Sequence, residues 1–236
     1  MNDIGAAFAS AFWMIVVADP TFLAIVGLSL RVTLSAVAIA ALIGLPLGAA
    51  LAMARFPGRG ALVILVNALM GLPPVVAGLA LFLLLSRSGP LGALGWLYTP
   101  RAMVAAQAVL VLPIVIALTR QTVEDLWAEY REHLASLGQT GFAAIPTLLW
   151  DARFSLATAL LAGFGRASAE VGAVLIVGGN IAGFTRTMTT AITLETSKGD
   201  LPLALGLGIV LLAITLAINA AAFAASRIGL ARAGAA

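Results

Sequence analysis

Long apolar runs separated by short polar breaks dominate the chain, and a helix needs about 20 mostly apolar residues to cross a bilayer. Five runs meet or approach that length: 25–53, interrupted only by Arg31 near its start, then 61–85, 102–118, 154–177 and 201–225. A shorter run, Phe8–Val17, ends at Asp19-Pro20, because a proline disfavours helix in the residue before it. No Lys or Arg precedes that run, so it lacks the basic region of a signal peptide. Residues 1–20 read as an interfacial helix with Phe12 and Trp13 at headgroup depth, a sixth, tilted span being the alternative.

The pattern changes over 119–152. Glu124, Asp125, Glu129, Glu132 and Asp151 lie here, half of the chain's 10 acidic residues. From Gln121 to Leu137 the apolar positions Val123, Leu126, Trp127, Tyr130 and Leu134 recur mainly three and four apart, which predicts an amphipathic helix. Gly138 is its expected cap. Two readings stand: a helix lying on the membrane, or one presented to a soluble partner.

Composition strengthens the membrane reading. The chain is 62% hydrophobic and 10% charged, with mean hydropathy +1.10, where soluble domains carry roughly 25% charged residues. Its 13 basic residues are scattered singly, which argues against nucleic acid. With no cysteine and one isolated histidine, His133, neither a metal site nor a cofactor is expected. No catalytic constellation is expected at membrane depth, and no G-x-x-x-x-G-K-[ST] loop occurs, so any ATP hydrolysis belongs to another polypeptide.

Basic residues also orient a membrane protein. With a cytoplasmic C-terminus, that side holds Arg55, Arg59, Arg120, Arg131, Arg153, Arg227 and Arg232, against Arg31, Arg87, Arg101, Arg186 and Lys198 opposite. Seven against five favours this orientation by a narrow margin.

Three features inside the runs bear on function. Arg166 and Glu170 are spaced i, i+4 near the middle of the fourth run, so a continuous helix would put both on one face. Charges at that depth cost roughly 2.5–3.5 kcal/mol each, so they should face the bundle interior or an aqueous path. An ion pair that fixes packing and a gate on an anion's path are both consistent with the spacing. After this run, Asn180, Arg186 and the hydroxyls of Thr185, Thr187, Thr189 and Thr190 offer donors for an oxyanion, or caps for backbone groups. Pro73-Pro74 should kink the second run and serve as a hinge, and Gly44-x-x-x-Gly48 allows close helix approach.

Several segments carry a family resemblance. E-H-L-A-S-L-G, Glu132 to Gly138, has the Glu-to-Gly spacing of the E-A-A-x-x-x-G motif, with His133 and Leu134 at the alanine positions. Leu148, Trp150 and Asp151 occupy the positions of the following I-x-L-P. G-L-P-P-V-V-A-G-L, Gly71 to Leu79, and the stretch Gly165 to Leu201 are more specific. Together they resemble the tungstate branch of the molybdate/tungstate/sulfate ABC importer permeases over about residues 19–226.

The resemblance implies an all-α membrane protein of five transmembrane helices, with the N-terminal interfacial helix and a cytoplasmic coupling helix within 119–152. Residues 227–236 form a cytoplasmic tail, and the N-terminus lies outside the inner membrane. It implies a homodimer, a separate ATP-binding cassette ATPase contacted through Glu132, His133, Leu134 and Gly138, and an extracytoplasmic solute-binding protein. Tungstate or molybdate is the expected cargo, passing Arg166, Glu170, Asn180, Arg186, Thr189 and Thr190. The alternative is a stand-alone secondary transporter or channel for a small anion, disfavoured by the absence of a detectable inverted repeat.

Overall fold

The structure is a computed structural model that describes residues 9, 12, 13, 16, 17 and 19–233, and every regular element among them is helical. Most of the interfacial segment expected over 1–20 lies outside the described residues; Phe12 and Trp13 within it are helical and exposed. The first long helix, α1, spans Pro20–Met53. The Asp19-Pro20 pair starts it: Asp19 Oδ1 accepts the N–H groups of Thr21 (2.8 Å) and Phe22 (3.0 Å), and Pro20 occupies the first helical position.

The second run is two helices rather than one kinked helix, α2 (Arg59–Met70) and α3 (Pro74–Leu85). Gly71 N–H caps α2 on Ala68 O at 3.1 Å. Pro73 is extended and stands just before α3, while Pro74 sits at its first position, where its missing N–H costs nothing. Two adjacent prolines therefore end one helix and begin another, at the place where the second run was expected to be broken.

The third run is longer than its apolar content predicts. The helix α4 spans Pro100–Ser136, 37 residues, or about 55 Å at 1.5 Å per residue. The stretch 121–137, expected as a separate short helix, continues it, because nothing between Leu118 and Leu134 stops a helix. The stop comes where expected: Gln139 N–H bonds Leu134 O (2.8 Å), Gly138 N–H bonds Ala135 O (3.0 Å), and Gly138 takes φ +75°. A 3-10 turn, Gly141–Ala144, and the short helix α5, Ile145–Asp151, follow.

The fourth run is also broken, into α6 (Arg153–Ser168) and α7 (Gly172–Gly178). The helix α8 spans Met188–Lys198 and α9 spans Leu201–Ala233. Among the described residues three helices are long and apolar enough to cross a membrane, or up to five when each bent pair, α2 with α3 and α6 with α7, counts as one span. Leu42, Ile64, Leu212 and Leu216 stay exposed, as the lipid-facing surface of such a chain requires.

The chain divides into two compact units. One comprises Met1–Ala36, Pro73–Gln107 and Ala167–Ile218. Its core gathers Phe22, Ile25, Met188, Ala191 and Leu207, and α3 packs along α7. The other comprises Val37–Leu72, Ala108–Arg166 and Asn219–Ala236. Here Gly44 and Gly48 lie against Val115 and Thr119 of α4, where a Cβ would come within 2.8 Å and 2.7 Å of those side chains. This is the close approach that the glycine spacing predicts. Leu134, Val123, Ala144, Leu148 and Ala49 form a second core there.

Candidate functional site

The break at Ala169–Val171 exposes backbone groups that a membrane interior does not tolerate unpaired. The surrounding residues satisfy them. Gln107 Nε2 donates to Ala167 O at 3.0 Å, and Glu170 N–H donates to the same oxygen at 3.1 Å. Glu170 is buried at 2% exposure, and its Oε1 accepts the Ala173 N–H at 2.9 Å, satisfying a donor in the first turn of α7 that has no helical acceptor. Thr189 Oγ1 donates to Glu170 O at 2.8 Å.

Glu170 thus lies in the break, outside either helix. Arg166 occupies the last turn of α6 and is partly buried. At the end of α6, Ala167 O is held by the neighbouring Glu170 N–H and by Gln107 Nε2 from 60 residues away, the second a contact between distant segments that no local pattern encodes.

The hydroxyl-rich loop is largely self-bonded. Thr185 Oγ1 donates to Gly178 O (2.6 Å) and accepts from Ile181 N–H (2.9 Å). Thr187 and Thr190 form a reciprocal capping box at the start of α8, with Thr187 N–H on Thr190 Oγ1 at 3.0 Å. For Thr185, Thr187 and Thr190, all buried, the hydrogen bonds support the capping alternative. Asn180 takes φ +50° and its Nδ2 approaches Thr190 O at 3.4 Å, leaving Oδ1 buried with no partner among the described residues. Arg186 stands apart, 3.8 Å from Glu195, which also holds Lys198 at 3.0 Å.

At the expected coupling segment the residues separate. Glu132 and His133 are exposed, whereas Leu134 is buried in its own chain and packs toward Leu148 and Ala144. Phe142 and Trp150 present exposed aromatic surface, 59% and 73%, on the short elements after Gly138. Arg153 stacks over Trp150 at 5.1 Å and over Phe154 at 4.6 Å.

Sequence reasoning missed one polar cluster. Glu124 accepts from both Arg59 Nη2 and Arg120 Nη1, and Arg59 Nε donates to Leu51 O at 3.0 Å near the end of α1. The i, i+4 spacing of Arg120 and Glu124 is readable; Arg59, 65 residues from Glu124, is not.

Apolar helices of spanning length, with a break whose backbone is bonded by buried polar side chains, define the class as a multi-pass membrane protein. Scanned against models of protein families, the chain matches none. It is similar to a probable anion ABC transporter permease protein of Haloferax volcanii, 42% identical over 83% of this chain and 87% of that one. It is similar to the tungstate uptake system permease protein TupB of Peptoclostridium acidaminophilum, 40% identical over 93% of this chain and 96% of that one. TupB of Campylobacter jejuni is 38% identical over 66% of this chain and 65% of its own. The chain belongs to the anion ABC transporter permeases, in the branch of the tungstate uptake systems.

Proposed function

We propose that this chain is the membrane-spanning subunit of an ATP-driven importer of tungstate, forming the pathway as a homodimer in the inner membrane with its N-terminus outside. The observation that carries this reading is the 40% identity to a tungstate uptake permease across nearly the full length of both chains. ATP hydrolysis falls to a separate ATPase subunit, and a solute-binding protein delivers the anion. Molybdate is the second cargo, since it presents the same tetrahedral dianion.

The ATPase contact is assigned to the elements around Gly138. Leu134 and Leu148 anchor Gly141–Ala144 and α5 to α4 from within, and Glu132, His133, Phe142 and Trp150 remain exposed for a partner. The coupling element so assigned is the stretch 121–138 together with the turn and short helix that follow it, 141–151. The pathway is assigned to the broken fourth span, with Arg166, Glu170 and Thr189 at the break and Pro73-Pro74 as the hinge.

Vesicles containing the permease, its ATPase and the binding protein should take up tungstate only with ATP. Uptake by the permease alone would sink the reading in favour of a secondary transporter. Glu132→Ala should reduce co-purification of the ATPase while leaving membrane insertion intact; undiminished co-purification would remove the coupling assignment.

A further inference from the structure

A cleft of about 710 Å³ opens within the unit that holds the start of α1 and the loop before α8. Thr21, Gly27, Arg31, Pro100, Gly183 and Arg186 are among its lining residues, and no carboxylate lines it among the described residues. Arg31 is exposed and has no ion pair or hydrogen-bond partner for its side chain among the described residues. Arg186 reaches Glu195 only at 3.8 Å, well beyond the roughly 2.7–2.9 Å of a charge-assisted bond, and Glu195 is shared with Lys198. The Nε of Arg186 is buried with no partner among the described residues, so this one nitrogen of the guanidinium lacks an acceptor.

The nearest acid in sequence, Asp19, is engaged in capping: its Oδ1 holds the N–H groups of Thr21 and Phe22. Space is left open as well. A Cβ at Gly27 or Gly183 would meet nothing within 4 Å, so these glycines relieve no clash and leave the cleft wide.

We propose that the Arg31–Arg186 cleft is an entry site that receives a tetrahedral oxyanion before it moves on through the protein. The proposal rests on the importer reading for the identity of the anion. Two guanidiniums facing one cleft supply several N–H donors in forks that match an oxyanion's oxygens. Arg186, already tied loosely to Glu195, exchanges that long contact for the anion, and weak contacts of this kind let the anion leave again. An anionic lipid headgroup carries the same oxyanion chemistry, so the test separates the two.

The chain contains no cysteine, so Thr21→Cys places a single thiol in the cleft. In the assembled transporter, in phosphatidylcholine vesicles, an anionic methanethiosulfonate reagent should react several-fold faster relative to its cationic analogue than it does once Arg31→Gln is added. Millimolar tungstate should slow labelling several-fold, and chloride at equal ionic strength should not. Arg31→Lys should restore part of the preference. Gly27→Phe, at a position with room, should abolish protection while the protein still assembles.

A reagent preference unchanged by Arg31→Gln, equal slowing by chloride, or slowing by added phosphatidylglycerol but not by tungstate would each overturn the proposal. Labelling needs no transport. Missing protection in vesicles that import tungstate therefore counts against the cleft alone, and missing import with intact protection counts against the importer reading alone.

Discussion

Ser29 on α1 joins Met188 at the start of α8: its Oγ donates to Ile25 O at 2.8 Å and accepts the Met188 N–H at 2.7 Å. The two residues are 159 positions apart and both are buried, so one hydroxyl satisfies a first-turn donor that has no helical partner. Ser29→Ala should leave that N–H unpaired in the core. The expected loss is about 1–3 kcal/mol, read as a lower midpoint of thermal unfolding in detergent. An unchanged midpoint would mean that the bond contributes nothing net.

Glu170 should behave as a structural cap whatever else it does. Glu170→Gln keeps an oxygen that can accept the Ala173 N–H, so it should retain most of the stability. Glu170→Ala should cost about 1–2 kcal/mol through loss of the cap. Comparing unfolding midpoints of the two variants separates the roles: equal losses would point to the charge, not the hydrogen bond.

Gly78 lets α3 and α7 touch. A Cβ there would lie 2.7 Å from Ala173 Cα, a backbone atom that cannot rotate away. Gly78→Ala should therefore destabilise by about 1–3 kcal/mol. Gly27→Ala, where a Cβ meets nothing, should be neutral or stabilising by up to about 1 kcal/mol through helix propensity. Matched unfolding curves for both variants check the contrast.

The Arg59–Glu124–Arg120 cluster is partly exposed, so each pair should contribute only about 0.2–1 kcal/mol and weaken with salt. Arg59→Ala should cost more than Glu124→Ala, because it also removes donors from Leu51 O and Ala52 O near the end of α1. A double-mutant cycle on Arg59 and Glu124 gives the coupling; a larger loss for Glu124→Ala would show that the α1 contacts are unimportant.

The sequence by itself determined that the chain lies in a membrane, because helices of this composition have too little polar surface to face water. It also placed the Gly138 stop and the Gly44/Gly48 contact, since caps and small-residue spacings act within a few residues of where they are written, whereas it took Asp19-Pro20 only as the end of the preceding run and began the first span at Ile25. The long matches around Gly71–Leu79 and Gly165–Leu201 carried the family. Tertiary structure decided where helices break and which polar groups are free. The fourth span breaks after Ser168, where Gln107 and Glu170 hold its end, Leu134 turns inward because Leu148 and Ala144 meet it there, and the threonine hydroxyls close on nearby backbone. A hydrophobicity pattern records how apolar each position is, but not which distant donor will reach a given carbonyl, and that pairing decides whether an apolar run is one helix or two.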